Sequence, residues 1–157
     1  MEFRLQNDPE SAIDITLRFT KDATNRDLQQ VLEFPFQSGT TDPASIESAL
    51  RNAQRVILQP SLLNQPGLGR SEDPPLTFSE NCVCVHVKGP LIPDLLFFDI
   101  PGIISSVPDG VDKRHIQLVR SLAQSYCSRP NCIVLLVTAC NCEHNTFIFC
   151  AQTHKTL

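Results

Sequence analysis

The chain has 157 residues, a size typical of one domain, with 41% hydrophobic residues, 19% charged residues and a formal net charge of −4. This acidic balance argues against electrostatic binding to nucleic acid or to anionic membranes, which attract basic surfaces. No apolar run reaches the ~18–20 residues that span a bilayer, and no signal peptide opens the sequence. Seven cysteines without disulfide-scaffold spacing fit a reducing compartment. We therefore expect a cytoplasmic protein.

The N-terminal residues predict two short strands. Phe3 and Leu5 alternate with polar neighbours, and residues 13–19 alternate in the same way after the turn-forming Asn7-Asp8-Pro9. A period of two is typical of half-buried strands. Together the two strands predict an N-terminal hairpin, followed by a polar turn over residues 21–27.

A helix and a long loop are predicted next. Asp42 can cap free backbone N–H groups, and Pro43 suits the first helical position. Apolar residues then recur at helical spacing, from Ile46 to Ile57, until Pro60 ends the helix. Residues 61–77 hold three prolines and two glycines and predict a surface loop.

The second half of the chain predicts a strand–helix–strand unit. Residues 83–87 alternate as a strand does, and the apolar run 95–98 is typical of a strand buried on both faces. Asp112 can cap a helix, and residues 133–137 form a second buried strand. The apolar face of that helix comprises Ile116, Val119, Leu122, Ala123 and Tyr126. A βαβ unit of this kind predicts an α/β fold with a mostly parallel sheet.

Asp99-Ile100-Pro101-Gly102 directly follows the run 95–98 and is the chemically informative motif. Ligands of parallel α/β folds bind beyond the carboxyl ends of strands. A carboxylate at Asp99 can hold Mg²⁺, directly or through water. Glycine at 102 lets a backbone N–H approach a terminal phosphate closely. Without further context, the same four residues are also typical of an ordinary turn at the end of a strand.

Residues 95–103 resemble the signature of the dynamin superfamily, in which an apolar strand runs into Asp-Leu-Pro-Gly. The one departure is the conservative Ile100. Residues 1 to about 140 follow the family pattern in order, and segments of the chain look like those of fungal dynamin-like proteins. The further segments that carry the likeness are 1–5 (the strand after switch I), 51–60 (the helix before a long loop) and 116–137 (the helix and strand after the motif).

The resemblance implies part of a P-loop GTPase-type, three-layer α/β domain over residues 1–157, with the surface loop 61–77 and a divergent tail, 140–157. It implies binding of GTP and Mg²⁺, with Asp99 to Gly102 at the γ-phosphate as switch II, Asp99 on Mg²⁺ through water, and residues 103–110 as the mobile switch. For the parent protein it implies GTP hydrolysis coupled to membrane fission or organelle division, pairing with other dynamin-like chains, and association with microtubules.

Two motifs of an active family member do not occur in these residues. None of the six glycines begins Gly-Lys-Ser/Thr, so the phosphate-cradling loop is missing, and no Thr/Asn-Lys-x-Asp reads guanine. We therefore expect these residues alone to bind GTP weakly and to be inactive, with no confident catalytic residue. In the family the P-loop strand lies between the strands at 95–98 and 133–137, so we expect those two to pair directly here.

Three other interpretations stay open at this stage. The pairs Cys82/Cys84 and Cys140/Cys142 could supply thiolates to zinc, although a Cys-x-Cys spacing on a strand separates the residues by ~6.6 Å. A non-enzymatic interaction protein that pairs with full-length dynamin-like chains is the second. A hydrolase using Asp112 and His115 is the third, and no Gly-x-Ser-x-Gly elbow accompanies that pair.

Overall fold

The computed structural model describes residues 1–63, 68, 76–102, 114–135 and 137. The chain divides into two compact units, residues 1–100 and residues 101–157. In chain order the elements are β1 (Glu2–Asn7), β2 (Ala12–Lys21), β3 (Asp27–Thr40), α1 (Pro43–Leu58), a 3₁₀ turn (Pro60–Leu63), β4 (Cys82–Gly89), β5 (Leu95–Phe98) and α2 (Arg114–Cys127).

The first unit holds a five-stranded sheet with the strand order β3-β2-β4-β1-β5. Only β1 and β4 run parallel, and the other three neighbouring pairs are antiparallel. The α/β class is therefore confirmed, whereas the prediction of a mostly parallel sheet is wrong. Parallel strands need a long connection, and the one between β1 and β4 includes β2, β3 and α1. The short connections at 22–26 and 90–94 reverse the direction of the chain.

The N-terminal hairpin lies one strand later than predicted. Because β4 is inserted between β1 and β2, those two strands do not pair with each other. The hairpin is formed by β2 and β3, and β3 was not among the predicted strands. Its turn is fastened by Asp22, whose Oδ1 accepts hydrogen bonds from the backbone N–H of Thr24 (2.8 Å) and of Arg26 (2.9 Å).

One face of the sheet packs on α1 and forms the core. Alternation along β2 and β4 places Ile15, Leu17, Phe19, Val83 and Val85 on this face, all at most 4% exposed. Helix α1 covers them with Ala49, Ala53 and Ile57. The predicted helix is confirmed at its start, since Asp42 Oδ2 accepts the Ser45 N–H at 2.8 Å and Pro43 opens the first turn.

The opposite face of the sheet is polar and carries a charge network. Arg18 on β2 bridges two carboxylates, Glu2 on β1 (Nη1 to Oε2, 2.5 Å) and Glu33 on β3 (Nε to Oε1, 2.6 Å). Glu2 is only 7% exposed. A buried carboxylate requires such a partner, because desolvation of an unpaired charge is costly.

In the second unit the predicted helix is present, whereas the described residues of the predicted second strand form no strand. Helix α2 spans Arg114–Cys127 and buries Val119 and Ala123, while its predicted cap, Asp112, lies outside the described residues. Residues 132–135 and 137 form no strand, and Ile133 is 95% exposed. The predicted βαβ unit, and the pairing of 133–137 with 95–98, are therefore wrong for the described residues. An apolar run becomes a strand only where a neighbour supplies backbone partners.

The predicted loop 61–77 begins as the 3₁₀ turn, and residues 64–67 and 69–75 lie outside the described part of the chain. Leu68 is fully buried and belongs to the core cluster. The segment closes on α1, since the Leu76 N–H donates to the Leu58 carbonyl at 2.7 Å. At least part of this segment is therefore packed against the first unit.

Candidate functional site

Asp99 lies where β5 ends, as the sequence predicts. Strand β5 pairs antiparallel with β1, with Phe97 opposite Phe3 and Phe98 opposite Glu2. The ladder continues one step, because the Asp99 N–H donates to the Met1 carbonyl at 2.8 Å and the Met1 nitrogen donates to the Asp99 carbonyl. Both hydrogen bonds involve the Asp99 main chain, so the backbone is fixed while the residue stays exposed.

Aromatic stacking holds β5 against β1 on the core side. The rings of Phe3 and Phe97 are stacked with centroids 4.8 Å apart and an interplanar angle of 10°. Cross-strand aromatic pairs of this kind stabilise a sheet beyond their buried area. The pairing of β5 with β1 and this ring contact therefore help to fix the position of Asp99.

Strand β5 is an exposed edge, and the prediction that it is buried on both faces is wrong. Leu95, Leu96 and Phe97 are 51%, 47% and 41% exposed. The reason lies in the strand order, since β5 has β1 on one side and is the last strand of the described sheet. Among the described strands, none lies beyond the outer side of β5, next to the candidate site.

The rest of the motif directly follows the end of the strand in sequence. Ile100 and Pro101 are half-buried, and Gly102 is exposed. A Cβ atom at Gly102 would meet no described atom within 4 Å, and its φ lies outside the left-handed region. Packing and backbone strain therefore do not explain the glycine at 102. The open space there is compatible with approach of a ligand to the backbone N–H.

Several predicted site features lie outside the described residues. These are the switch segment 103–110, Asp112, Cys140 and Cys142, and the side chain of His115. The structure therefore does not bring Asp112 and His115 together as a described pair. It does show that Cys82 and Cys84 share the polar face of β4, where both are half-buried free thiols.

The oxygen ligands at the candidate site are few. No group of three or more His, Cys, Asp or Glu residues is placed to hold a metal ion within the described ranges. Asp99 offers one exposed carboxylate. Mg²⁺ usually retains several waters and takes one or two carboxylates together with substrate phosphates. One carboxylate at a strand end thus fits a partial Mg²⁺–phosphate site.

Sequence reasoning missed the polar network of Arg18, Glu2 and Glu33. A signal was present in the alternation of polar residues along β1, β2 and β4, which face away from α1. This alternation did not predict the ion pair between Arg18 and Glu2. Their strands, β2 and β1, are separated in the sheet by β4, which occurs over sixty residues later in the chain.

None of the helices in the described part of the chain has the length and apolar content needed to span a membrane. The longest, α1, has 16 residues.

The chain is similar to GTP-binding proteins of the Mx type and to a dynamin-like GTPase. The chain is 29% identical over 108 residues to the interferon-induced GTP-binding protein Mx of Dicentrarchus labrax, which is 69% of this chain and 14% of that protein. It is 25% identical over 114 residues to human Mx2, covering 73% and 14%. It is 33% identical over 61 residues to the mitochondrial dynamin-like GTPase OPA1 of Danio rerio, covering 39% and 6%.

No family model matches the chain. The chain spans only about one seventh of the Mx relatives named above. The similarities to Mx and OPA1 support a relationship to the dynamin superfamily over part of the chain. The likeness to fungal members stays a prediction.

Proposed function

We propose that these residues are part of the GTPase domain of a dynamin-family protein and that Asp99 to Gly102 is its switch II segment. The observation that carries the proposal is the placement of Asp99. It lies at the end of a β-strand with its backbone fixed by Met1 and its side chain exposed, in a chain similar to Mx and OPA1. The fold alone would not assign a function, because function depends on the site.

The proposed parent activity is binding of GTP and hydrolysis that depends on Mg²⁺. Asp99 would hold Mg²⁺ through water, and the Gly102 N–H would face the γ-phosphate. Catalysis of phosphoryl transfer is mostly positioning and charge stabilisation. Since residues 1–157 contain no Gly-x-x-x-x-Gly-Lys-Ser/Thr, we propose that by themselves they bind GTP weakly and do not hydrolyse it. The proposed setting is cytoplasmic, with membrane remodelling or organelle division as the role of the parent.

The test uses the product of the complete reading frame that contains these residues. We expect binding of a fluorescent GTP analogue in the presence of Mg²⁺, and at least ~10-fold slower hydrolysis in Asp99→Ala. Glu10→Ala is the matched control, because it removes another exposed carboxylate of the first unit. If the protein binds no GTP, or if Asp99→Ala hydrolyses it as fast as the unchanged protein does, the proposal is wrong.

A second candidate function is a non-enzymatic interaction protein that pairs with full-length dynamin-like chains. The exposed apolar edge of β5 favours it, because unpaired strand edges recruit further strands. In this case residues 1–157 would co-purify with a full-length dynamin-like protein, and Leu96→Lys on β5 would abolish the co-purification. Val31→Lys is the matched control, since Val31 is 57% exposed on β3 at the opposite edge of the sheet. Purification of the chain without such a partner would contradict this candidate.

A further inference from the structure

The turn between β4 and β5 presents an apolar side chain to solvent. Leu91 is 95% exposed, as is Ile133, and every other large apolar residue of the described chain is more buried. The neighbouring Pro90 and Pro93 are exposed as well. A single exposed leucine is common in folded proteins, which leave much apolar surface in water. Exposure alone therefore does not assign a role to Leu91.

The backbone of Leu91 separates it from an ordinary surface leucine. Its φ is +65°, whereas the other described residues with positive φ are two asparagines and a glycine. Proline at 90 followed by a positive φ at 91 is the pattern of a type II turn, whose third position favours glycine or asparagine. A leucine there is unfavourable, because its Cβ crowds the following carbonyl oxygen. Leu91 thus adds strain to the fold while burying almost no surface.

The turn that carries Leu91 is fastened to the end of β1. The Gly89 carbonyl accepts the Asp8 N–H at 3.0 Å, and Asp94 Oδ1 accepts the Asn7 N–H at 2.9 Å. Prolines one residue before and two residues after Leu91 each fix a further φ angle. A side chain presented on a restrained backbone loses little freedom on binding, which favours a docking role.

Two carboxylates flank the exposed leucine. Asp8 and Asp94 are held beside the turn by the hydrogen bonds above, and within the described residues neither forms a salt bridge. Lys88, the basic residue nearest to the turn in sequence, is paired with Asp14 (Nζ to Oδ2, 3.4 Å). The surface is therefore apolar at Leu91 and negative around it. Such a surface complements an apolar pocket bordered by lysine or arginine, and an anionic membrane repels it.

We propose that residues 89–94 form a docking knob, on which Leu91 enters an apolar pocket with a basic rim on a partner protein. Glycine or asparagine at residue 91 would relax the backbone but would not fill such a pocket. Strain of this kind is retained where a function requires the side chain. The docking knob precedes β5 and Asp99 follows it, so this surface is separate from the proposed switch II segment.

The first experiment tests the strain by thermal unfolding. Leu91→Asn should raise the midpoint by ~2–4 °C, because asparagine adopts positive φ more readily than leucine does. Ile133→Asn is the matched control, since Ile133 is equally exposed and its φ is not positive. Its midpoint should not change. If Leu91→Asn is no more stable than the control, Leu91 is not strained and the proposal is wrong.

The second experiment tests the partner by photo-crosslinking. Photo-leucine, a diazirine analogue of leucine, replaces Leu91 in the full 157-residue chain, which is added to an extract of the source cells and irradiated. We expect a crosslink to one protein, at a site that mass spectrometry places among apolar residues bordered by lysine or arginine. Photo-leucine in place of Ile133 is equally exposed and should not give this crosslink.

Neutralising the two carboxylates tests the charge complementarity in the same assay. Asp8→Asn and Asp94→Asn together remove both charges, and each keeps the Oδ1 acceptor that binds a backbone N–H. The double variant should lower the crosslink yield about 3- to 10-fold. Should it not fold, Asp94→Asn alone is used. An unchanged yield would overturn the proposal. So would the absence of a crosslink, or crosslinks only to lipid or to a second copy of this chain.

Discussion

The centre of the sheet and its β5 edge differ in burial although both are rich in apolar residues. On β2 and β4, Ile15, Leu17 and Val83 are at most 3% exposed, whereas Leu95 and Leu96 on β5 are about half exposed. The centre is covered by α1 and has a strand on either side. The edge leads into Asp99, the first residue of the proposed switch II segment. Stability and proposed chemistry are therefore located in different strands.

The same substitution made in both regions tests this difference most strongly. Leu17→Ala should lower the free energy of unfolding by about 2–5 kcal/mol, because it removes a fully buried side chain and leaves a cavity. Leu95→Ala should cost about 1 kcal/mol or less, since half of that side chain is already in water. Urea unfolding followed by circular dichroism measures both. Equal losses would contradict the distinction between centre and edge.

Asn81 fastens the end of β2 to the start of β4. Its Oδ1 accepts the N–H groups of Thr20 (2.8 Å) and Lys21 (2.9 Å), and its Nδ2 donates to the Lys21 carbonyl at 3.1 Å. Asn81 is 7% exposed, so Asn81→Ala should cost about 2 kcal/mol by leaving these groups without a partner. Asn52→Ala, at an exposed position on α1, is the control and should cost nothing measurable in urea unfolding. Equal effects at the two positions would argue against a structural role for Asn81.

Removing the N-terminal cap of α1 should lower the stability of the chain by less than Leu17→Ala or Asn81→Ala does. Asp42→Ala should cost about 1 kcal/mol, because the Ser45 N–H loses its acceptor. Asp42→Asn keeps an acceptor at the same place and should restore most of the loss in thermal unfolding. If Asp42→Asn is as unstable as Asp42→Ala, the loss does not come from the cap.

The smallest expected effect on the free energy of unfolding comes from the protonation of His86 and depends on pH. Burial, followed by repulsion from Lys88 and Arg4, lowers its pKa, while Asp14 and Asp8 oppose the shift. A lowered folded-state pKa means that the unfolded chain binds the proton more readily. The contribution of His86 is therefore fully present above the unfolded pKa of ~6.5 and is lost as pH falls through the folded pKa.

The substitution His86→Gln removes this titration. As the pH falls from 7 to 5, the free energy of unfolding of the His86→Gln variant should rise relative to that of the unchanged chain. From pH 7.5 to pH 8.5 the difference between the two free energies should stay constant. Urea unfolding at each pH measures the difference. A difference that does not change from pH 8 to pH 5 would contradict the shift.

The elements that the sequence predicted well are those set by local patterns. Helix α1 has a capping Asp42, Pro43 at its start and an apolar repeat, all of which act within a few residues. Strand β3 lacks such a pattern, because Gln29 and Gln30 interrupt the alternation and Pro35 removes a donor, which only an edge strand tolerates. The order of strands was not predictable, since the neighbours of β1 are far from it in sequence.

The candidate site was predicted only in part, for the same reason. The apolar run before Asp99 correctly indicated a strand end, but the exposure of that strand depends on the strand order rather than on its own residues. The thiol pair shows the opposite case. The spacing of Cys82 and Cys84 is visible in the sequence, whereas the positions of Arg18 opposite Cys82 and of Glu2 opposite Cys84 appear only once β2, β4 and β1 are aligned.

Sequencing the source transcript beyond both ends of this segment tests the central claim most directly. If the chain is part of a dynamin-family GTPase domain, the reading frame continues upstream into Gly-x-x-x-x-Gly-Lys-Ser/Thr and downstream into Thr/Asn-Lys-x-Asp. A transcript that starts at Met1 and stops after Leu157 would contradict GTPase function for this product. The interaction of the β5 edge with full-length dynamin-like chains would then be the function to test.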